Sequence, residues 1–150
     1  MTLQDAYNFF ENLKIDTTIK SEIKVYERFK YILSELKIRK FSKDEIRSIE
    51  TKLESLDLKS NPENRKKFFN KALTKFEEYL KNTFSLISKD YYTKLYGGLG
   101  LSFGLLFGVV FLSSWERSLG ISLGLIIGMV IGATAGQSMD SKAKTESRVL

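Results

Sequence analysis

Between Lys94 and Asp140 the chain carries only two charged residues, the neighbours Glu116 and Arg117. They separate two uncharged windows, Leu95 to Trp115 with 21 residues and Ser118 to Met139 with 22. About 20 apolar residues in a helix cross a ~30 Å hydrocarbon core, so the windows read as two transmembrane spans joined by a tight turn. A buried hairpin in a soluble protein is the alternative, but the 94 residues that precede it offer too little surface to cover two such helices. Tyr91, Tyr92 and Tyr96 flank the entry of the first span and Trp115 its exit, as expected of amphipathic rings at a membrane interface. Lys81, Lys89 and Lys94 precede the first span, and Lys142, Lys144 and Arg148 follow the second, whereas the turn has Arg117 alone. The positive-inside rule then places both termini in the cytoplasm.

All ten glycines lie between Gly97 and Gly136. Five recur every fourth residue in the second span (Gly120, Gly124, Gly128, Gly132 and Gly136), and Gly100, Gly104 and Gly108 repeat the spacing in the first. In a water-exposed helix each would cost about 1 kcal/mol relative to alanine. In lipid the backbone must satisfy its own hydrogen bonds, so the segment stays helical, and a face without side chains lets another helix approach closely. A four-residue repeat precesses against the 3.6-residue turn, which favours a right-handed crossing. Ser118, Ser122 and Thr134 add small hydroxyls beside the second stripe.

The run RSLGISLGLIIGMVIGATAGQSMDSKAKTESRVL, Arg117 to Leu150, resembles the closing segment of the glycine-zipper family of small bacterial membrane proteins. The likeness covers the last third of the chain; the N-terminal part looks like uncharacterised proteins of the same kind. It implies a bacterial inner (cytoplasmic) membrane setting and helix packing, and it implies no reaction. Secreted lipoproteins of the family would need an N-terminal cysteine, and this chain has none.

Residues 1 to 94 read as helices. Thr2 with Asp5 opens a stretch bearing Leu3, Ala6, Phe10 and Leu13 on one side. From Thr18 to about Lys40 a stripe runs Ile19, Ile23, Tyr26, Phe29, Leu33 and Leu36. Ser42 with Glu45 forms a capping box ahead of Ile46, Ile49, Leu53 and Leu56. Ser60 or Asn61, with Pro62, opens a last helix whose stripe, Phe69, Leu73, Phe76, Leu80, Phe84, Ile87 and Tyr91, leads into the first span. That stripe is either bundle core or an intermolecular coiled contact. The expected fold is therefore an all-α membrane protein: a cytoplasmic four-helix bundle (1–94), a transmembrane hairpin with glycine-zipper faces (95–139, spans about 95–115 and 118–139) and a cytoplasmic polar tail (140–150). Where the last bundle helix continues into the membrane, Gly97 and Gly98 are the expected bend.

Chemistry finds little foothold. Without cysteine or histidine there are no disulfides, thiol nucleophiles or imidazole ligands, and no metal or cofactor is expected. Asp44-Glu45 and Glu77-Glu78 are helix neighbours pointing about 100° apart, poorly placed to share a substrate. Ser113 and Ser114 lack a histidine base. Residues 1 to 94 carry 20 Lys/Arg against 15 Asp/Glu. Arg65, Lys66 and Lys67 form a run that reads as solvated surface or, with Lys94, Lys142 and Lys144, as a contact with lipid headgroups; no nucleic-acid signature accompanies it. The expectation is a non-enzymatic, homo-oligomeric membrane scaffold or regulatory adaptor that binds lipids and, through residues 1–94, another protein. A pore assembled from glycine-zipper hairpins is the alternative, opposed by spans without ionisable residues.

Overall fold

A computed structural model describes residues 1–60, 62–112 and 117–150, and every regular element among them is helical. The elements are α1 (Leu3–Ile15), α2 (Lys20–Ile38), α3 (Lys43–Ser55), α4 (Arg65–Phe84), α5 (Tyr91–Phe107), a π-helical turn (Gly108–Leu112) and α6 (Arg117–Thr145). They form two compact units, Met1–Ser85 and Leu86–Leu150.

In the first unit two capping boxes fix helix starts. The Thr2 hydroxyl accepts the Asp5 N–H at 3.0 Å while the Asp5 carboxylate accepts the Thr2 N–H, and Ser42 and Glu45 repeat the exchange at α3. The apolar stripes of α1, α2 and α4 then meet in an aromatic core. Phe10 stacks on Phe29 with centroids 4.2 Å apart, and the Phe69 ring stands edge-on to Phe10 at 5.7 Å and Tyr26 at 5.3 Å. Phe76, Leu80, Ile49 and Leu53 extend this core and are fully buried. Polar ties at the rim join helices distant in sequence: Arg28 pairs with Glu77 at 3.1 Å, and Glu50 accepts the Leu3 N–H at 3.2 Å. Glu22 is the one buried charged residue among those described, and it accepts the Thr17 hydroxyl at 3.0 Å. Ile19, placed by its spacing on the buried stripe, is instead 54 % exposed, because α2 begins only at Lys20 and Ile19 is its cap.

Two boundaries of α4 differ from the sequence reading. It starts at Arg65, later than Ser60 and Pro62, because the Asn64 side chain accepts the Lys67 N–H at 3.0 Å and makes Asn64 the cap; Asn61 lies outside the described residues. It ends at Phe84. Ser85 adopts the left-handed conformation (φ 56°), its N–H returns to the Lys81 carbonyl at 3.0 Å, and α5 opens only at Tyr91. The bundle helix and the first apolar helix are thus separate, while Gly97 and Gly98 lie within unbroken α5.

In the second unit α5 and α6 run antiparallel along their length. α6 continues to Thr145, past the end of its apolar window, and closes with a Schellman turn: Ser147 is left-handed (φ 54°), its N–H bonds to Lys144, and the Arg148 N–H bonds to Ala143 at 2.9 Å. The chain then pairs with the segment before α5. Ile87 donates to the Arg148 carbonyl at 2.9 Å, and Leu150 donates to the Ile87 carbonyl at 2.8 Å, in a single parallel bridge. Leu86, Ile87, Ala143 and Leu150 are all buried there.

Candidate functional site

The hairpin inverts the arrangement of a water-soluble helix pair. Its glycines are inside: a Cβ added at Gly108 would lie 2.6 Å from the Gly120 carbonyl oxygen, at Gly124 2.6 Å from the Gly108 Cα, and at Gly128 2.7 Å from the Gly104 Cα. Gly100 faces the backbone of Gly128 and Gly132, and Gly132 faces that of Tyr96 and Gly100. At Gly136 an added Cβ would meet the Thr93 Cα at 2.5 Å. Gly120 is buried. Seven glycines (100, 104, 108, 124, 128, 132 and 136) thus oppose backbone across the helix pair, so any side chain there pushes on main chain that cannot yield. Gly97 and Gly98 differ, with nothing within 4 Å of an added Cβ.

The large apolar side chains are outside. Phe103 is 68 % exposed, Phe111 65 % and Ile131 63 %, and Leu99, Leu106, Val110, Leu123, Ile126 and Val130 share their situation. Both helices are long and apolar enough to cross a membrane, and only 11 % and 22 % of their most apolar windows are buried. A soluble core helix would be mostly buried; these present their hydrocarbon outward and pack through backbone. Antiparallel helices that each cross a bilayer return the chain to the side it started from, so both ends of the hairpin share one side.

Few polar groups interrupt this surface, and two of its hydroxyls bond back to carbonyls of their own helices. Ser102 bonds to the Gly98 carbonyl at 3.2 Å, and Thr134 to the Val130 carbonyl at 2.9 Å. Such back-bonding satisfies the hydroxyl where no water is available.

One end of the hairpin gathers three tyrosines and several basic residues. Tyr91, Tyr92 and Tyr96 occupy the first turns of α5, half-buried, with Tyr91 edge-on to Tyr92 at 5.2 Å. Lys94, Lys142 and Lys144 are exposed at the same end, and the Arg148 guanidinium donates to Glu146 at 2.6 Å. Asp140 caps α5 from across the pair: its two carboxylate oxygens accept the N–H groups of Tyr92 at 3.0 Å and Thr93 at 2.8 Å. The sequence reading missed this residue, having assigned it to the polar tail. Its only signal was position, one residue past an apolar window and one turn beyond Gly136. Beside it a cleft of about 210 Å³ is lined by Lys89, Asp90, Thr93, Gln137 and Lys144. Arg65, Lys66 and Lys67 lie elsewhere, on the first turn of α4 in the other unit. Trp115 falls outside the described residues.

No family model, curated protein or solved structure matches the chain.

Proposed function

We propose that this protein is a membrane-anchored, self-associating scaffold or regulatory adaptor of the bacterial inner membrane, both termini cytoplasmic, whose first unit binds another protein. The reading is non-enzymatic and needs no cofactor. It is carried by the inverted hairpin: glycine backbone inside and Phe103, Phe111 and Ile131 outside suit a lipid solvent and no other. The glycine-zipper resemblance supports the bacterial setting. The lysines and tyrosines at one end suit headgroup level on the cytoplasmic side.

The glycine faces are consumed within one hairpin, so copies associate through the outward ridge of Leu99, Phe103, Leu106 and Val110, which the 4-3-4 spacing aligns on one side of the first span. This geometry also favours the scaffold over the pore. Backbone contact closes the space between α5 and α6, and the outward hydroxyls of Ser102 and Thr134 are engaged with carbonyls of their own helix. An ion would find no polar path along this surface.

Liposomes reconstituted with the full-length protein and loaded with a small dye test the choice. The dye should stay inside, and a cytoplasmic partner should copurify with the full chain but not with a chain lacking residues 1–85. Steady leakage that survives removal of residues 1–85 would establish the pore instead.

A further inference from the structure

The first unit carries a basic, apolar tip between α2 and α3. Residues 37 to 43 read Lys-Ile-Arg-Lys-Phe-Ser-Lys, four cations with no acid among them. Ile38, the last residue of α2, is 77 % exposed, more than any other large apolar side chain of this unit. Lys40 and Lys43 are exposed, and Lys37 lies over the Tyr7 ring at 4.5 Å. Asp44 and Glu45 follow in the first turn of α3, but the Glu45 carboxylate is turned back onto the Ser42 N–H at 2.7 Å. The tip is held in shape from both sides: Ser42 closes the capping box of α3, and the Phe41 ring stands edge-on to Phe84 with centroids 5.4 Å apart.

Phe84 matters because it ends α4, and only six residues separate it from Tyr91, where α5 begins. Seven extended peptide steps reach at most about 24 Å. Phe84 is thus tethered to the start of α5 by a short segment. Arg65, Lys66 and Lys67 open the opposite end of the 20-residue α4, a rise of about 30 Å.

We propose that the 37–43 tip docks on the anionic phospholipid headgroups of the membrane that the hairpin crosses, with Ile38 entering the boundary between headgroups and acyl chains. An exposed branched aliphatic ringed by lysines fits a surface that is negative above and hydrocarbon beneath. A nucleic acid would satisfy the charges and leave Ile38 in water. The inference rests on the membrane reading of the hairpin.

Because the chain has no cysteine, single cysteines at Ile38, Ile19 and Leu106 of the full-length protein can each carry an environment-sensitive fluorophore. The protein is reconstituted in vesicles of phosphatidylcholine alone or with added phosphatidylglycerol, each containing a lipid-borne quencher. The Leu106 label reports the hairpin and should be quenched in both. The Ile38 label should be quenched several-fold more strongly with phosphatidylglycerol than without, and that gain should vanish in Lys40→Glu/Lys43→Glu. Ile19 is similarly apolar and exposed but opens the opposite end of α2, and its label should stay unquenched. A quenched Leu106 label with Ile38 no more quenched than Ile19 would overturn the docking and leave the hairpin standing. An unquenched Leu106 label would overturn both.

Discussion

Asp140, near the end of α6, caps α5 at Thr93: one carboxylate oxygen accepts the Thr93 N–H at 2.8 Å while the other takes the Tyr92 N–H at 3.0 Å. The local cap residue, Asp90, is left-handed and its side chain makes no capping bond, so the N-terminus of α5 is completed by the helix it packs against. A capping bond contributes about 1 kcal/mol, and this one also fixes the register in which the glycines meet. Asp140→Ala should release the Tyr92 and Thr93 amides to rapid hydrogen exchange and weaken the hairpin by about 1–2 kcal/mol. Asp140→Asn, which keeps one acceptor, should fall between. Unchanged exchange at both amides in the alanine variant would remove the cap from the account.

The glycines divide into two groups that substitution can tell apart. Gly98→Ala meets nothing within 4 Å and relieves a helix position of its most flexible residue, so it should be neutral or stabilising by up to about 1 kcal/mol. Gly124→Ala and Gly128→Ala drive a methyl into opposing backbone and should separate the helices. Faster amide hydrogen exchange along α5 in both variants than in the unaltered chain would report that separation. Equal stability of Gly98→Ala and Gly128→Ala would mean that the close approach carries no energy.

Much of this was legible beforehand, and the failures share a cause. Within the predicted stripes Leu3, Ala6, Phe10, Tyr26, Phe29, Leu33, Leu36, Ile49, Leu53 and Leu56 are buried, Leu13, Ile23 and Ile46 are half-buried, Ile19 is exposed, and both capping boxes form. Local pattern suffices there because period and cap lie within one helix. The break after Phe84 was hidden because Phe84, Ile87 and Tyr91 keep helical spacing across it, and no glycine or proline marks it. What ends α4 is a serine in the left-handed region, followed by a segment whose backbone pairs with Arg148 and Leu150, some 60 residues away. The Asp140 cap is nonlocal in the same way. Sequence periodicity reports which face is apolar, and it is silent on partners that only the folded chain brings together.

The left-handed serines yield a prediction about stability. Ser85 and Ser147 terminate α4 and α6 with φ of 56° and 54°, a conformation glycine adopts without the steric cost a Cβ incurs. Ser85→Gly and Ser147→Gly should each stabilise their own unit by about 0.5–1 kcal/mol. Thermal unfolding of the first unit, followed by hydrogen exchange at α4, should shift upward for Ser85→Gly; a downward shift would contradict the capping assignment.

Acid should loosen the first unit. Hydrogen bonds to Thr2 hold the Asp5 carboxyl below its ordinary pKa, the Ser42 backbone N–H and hydroxyl do the same for Glu45, and the N-terminal amine does so for Glu54. A carboxyl with a depressed folded pKa contributes stability that is fully present above its unfolded pKa and is lost as pH falls through the folded one. The starts of α1 and α3 should therefore fray as pH drops from about 5 to 3. Glu45→Gln should flatten the response at α3 alone. Amide exchange at Glu45 and Ile46 that is indifferent to pH, after correction for intrinsic rates, would count against the box as a charged device.

If α5 and α6 cross a bilayer and return, the turn between them faces the opposite side from both ends of the hairpin. Single cysteines at Asn70, Ser114 and Ser147, in a chain with no native thiol, are exposed in intact bacterial cells to a membrane-impermeant maleimide and then, after permeabilisation, to a second label. Asn70 lies in the first unit, Ser114 at the far end of the first apolar window and Ser147 beyond the second. Ser114→Cys alone should react from outside, and Asn70→Cys and Ser147→Cys should react only once the membrane is opened. Labelling of all three in the same step, or of Asn70→Cys and Ser147→Cys in different steps, would contradict the crossing.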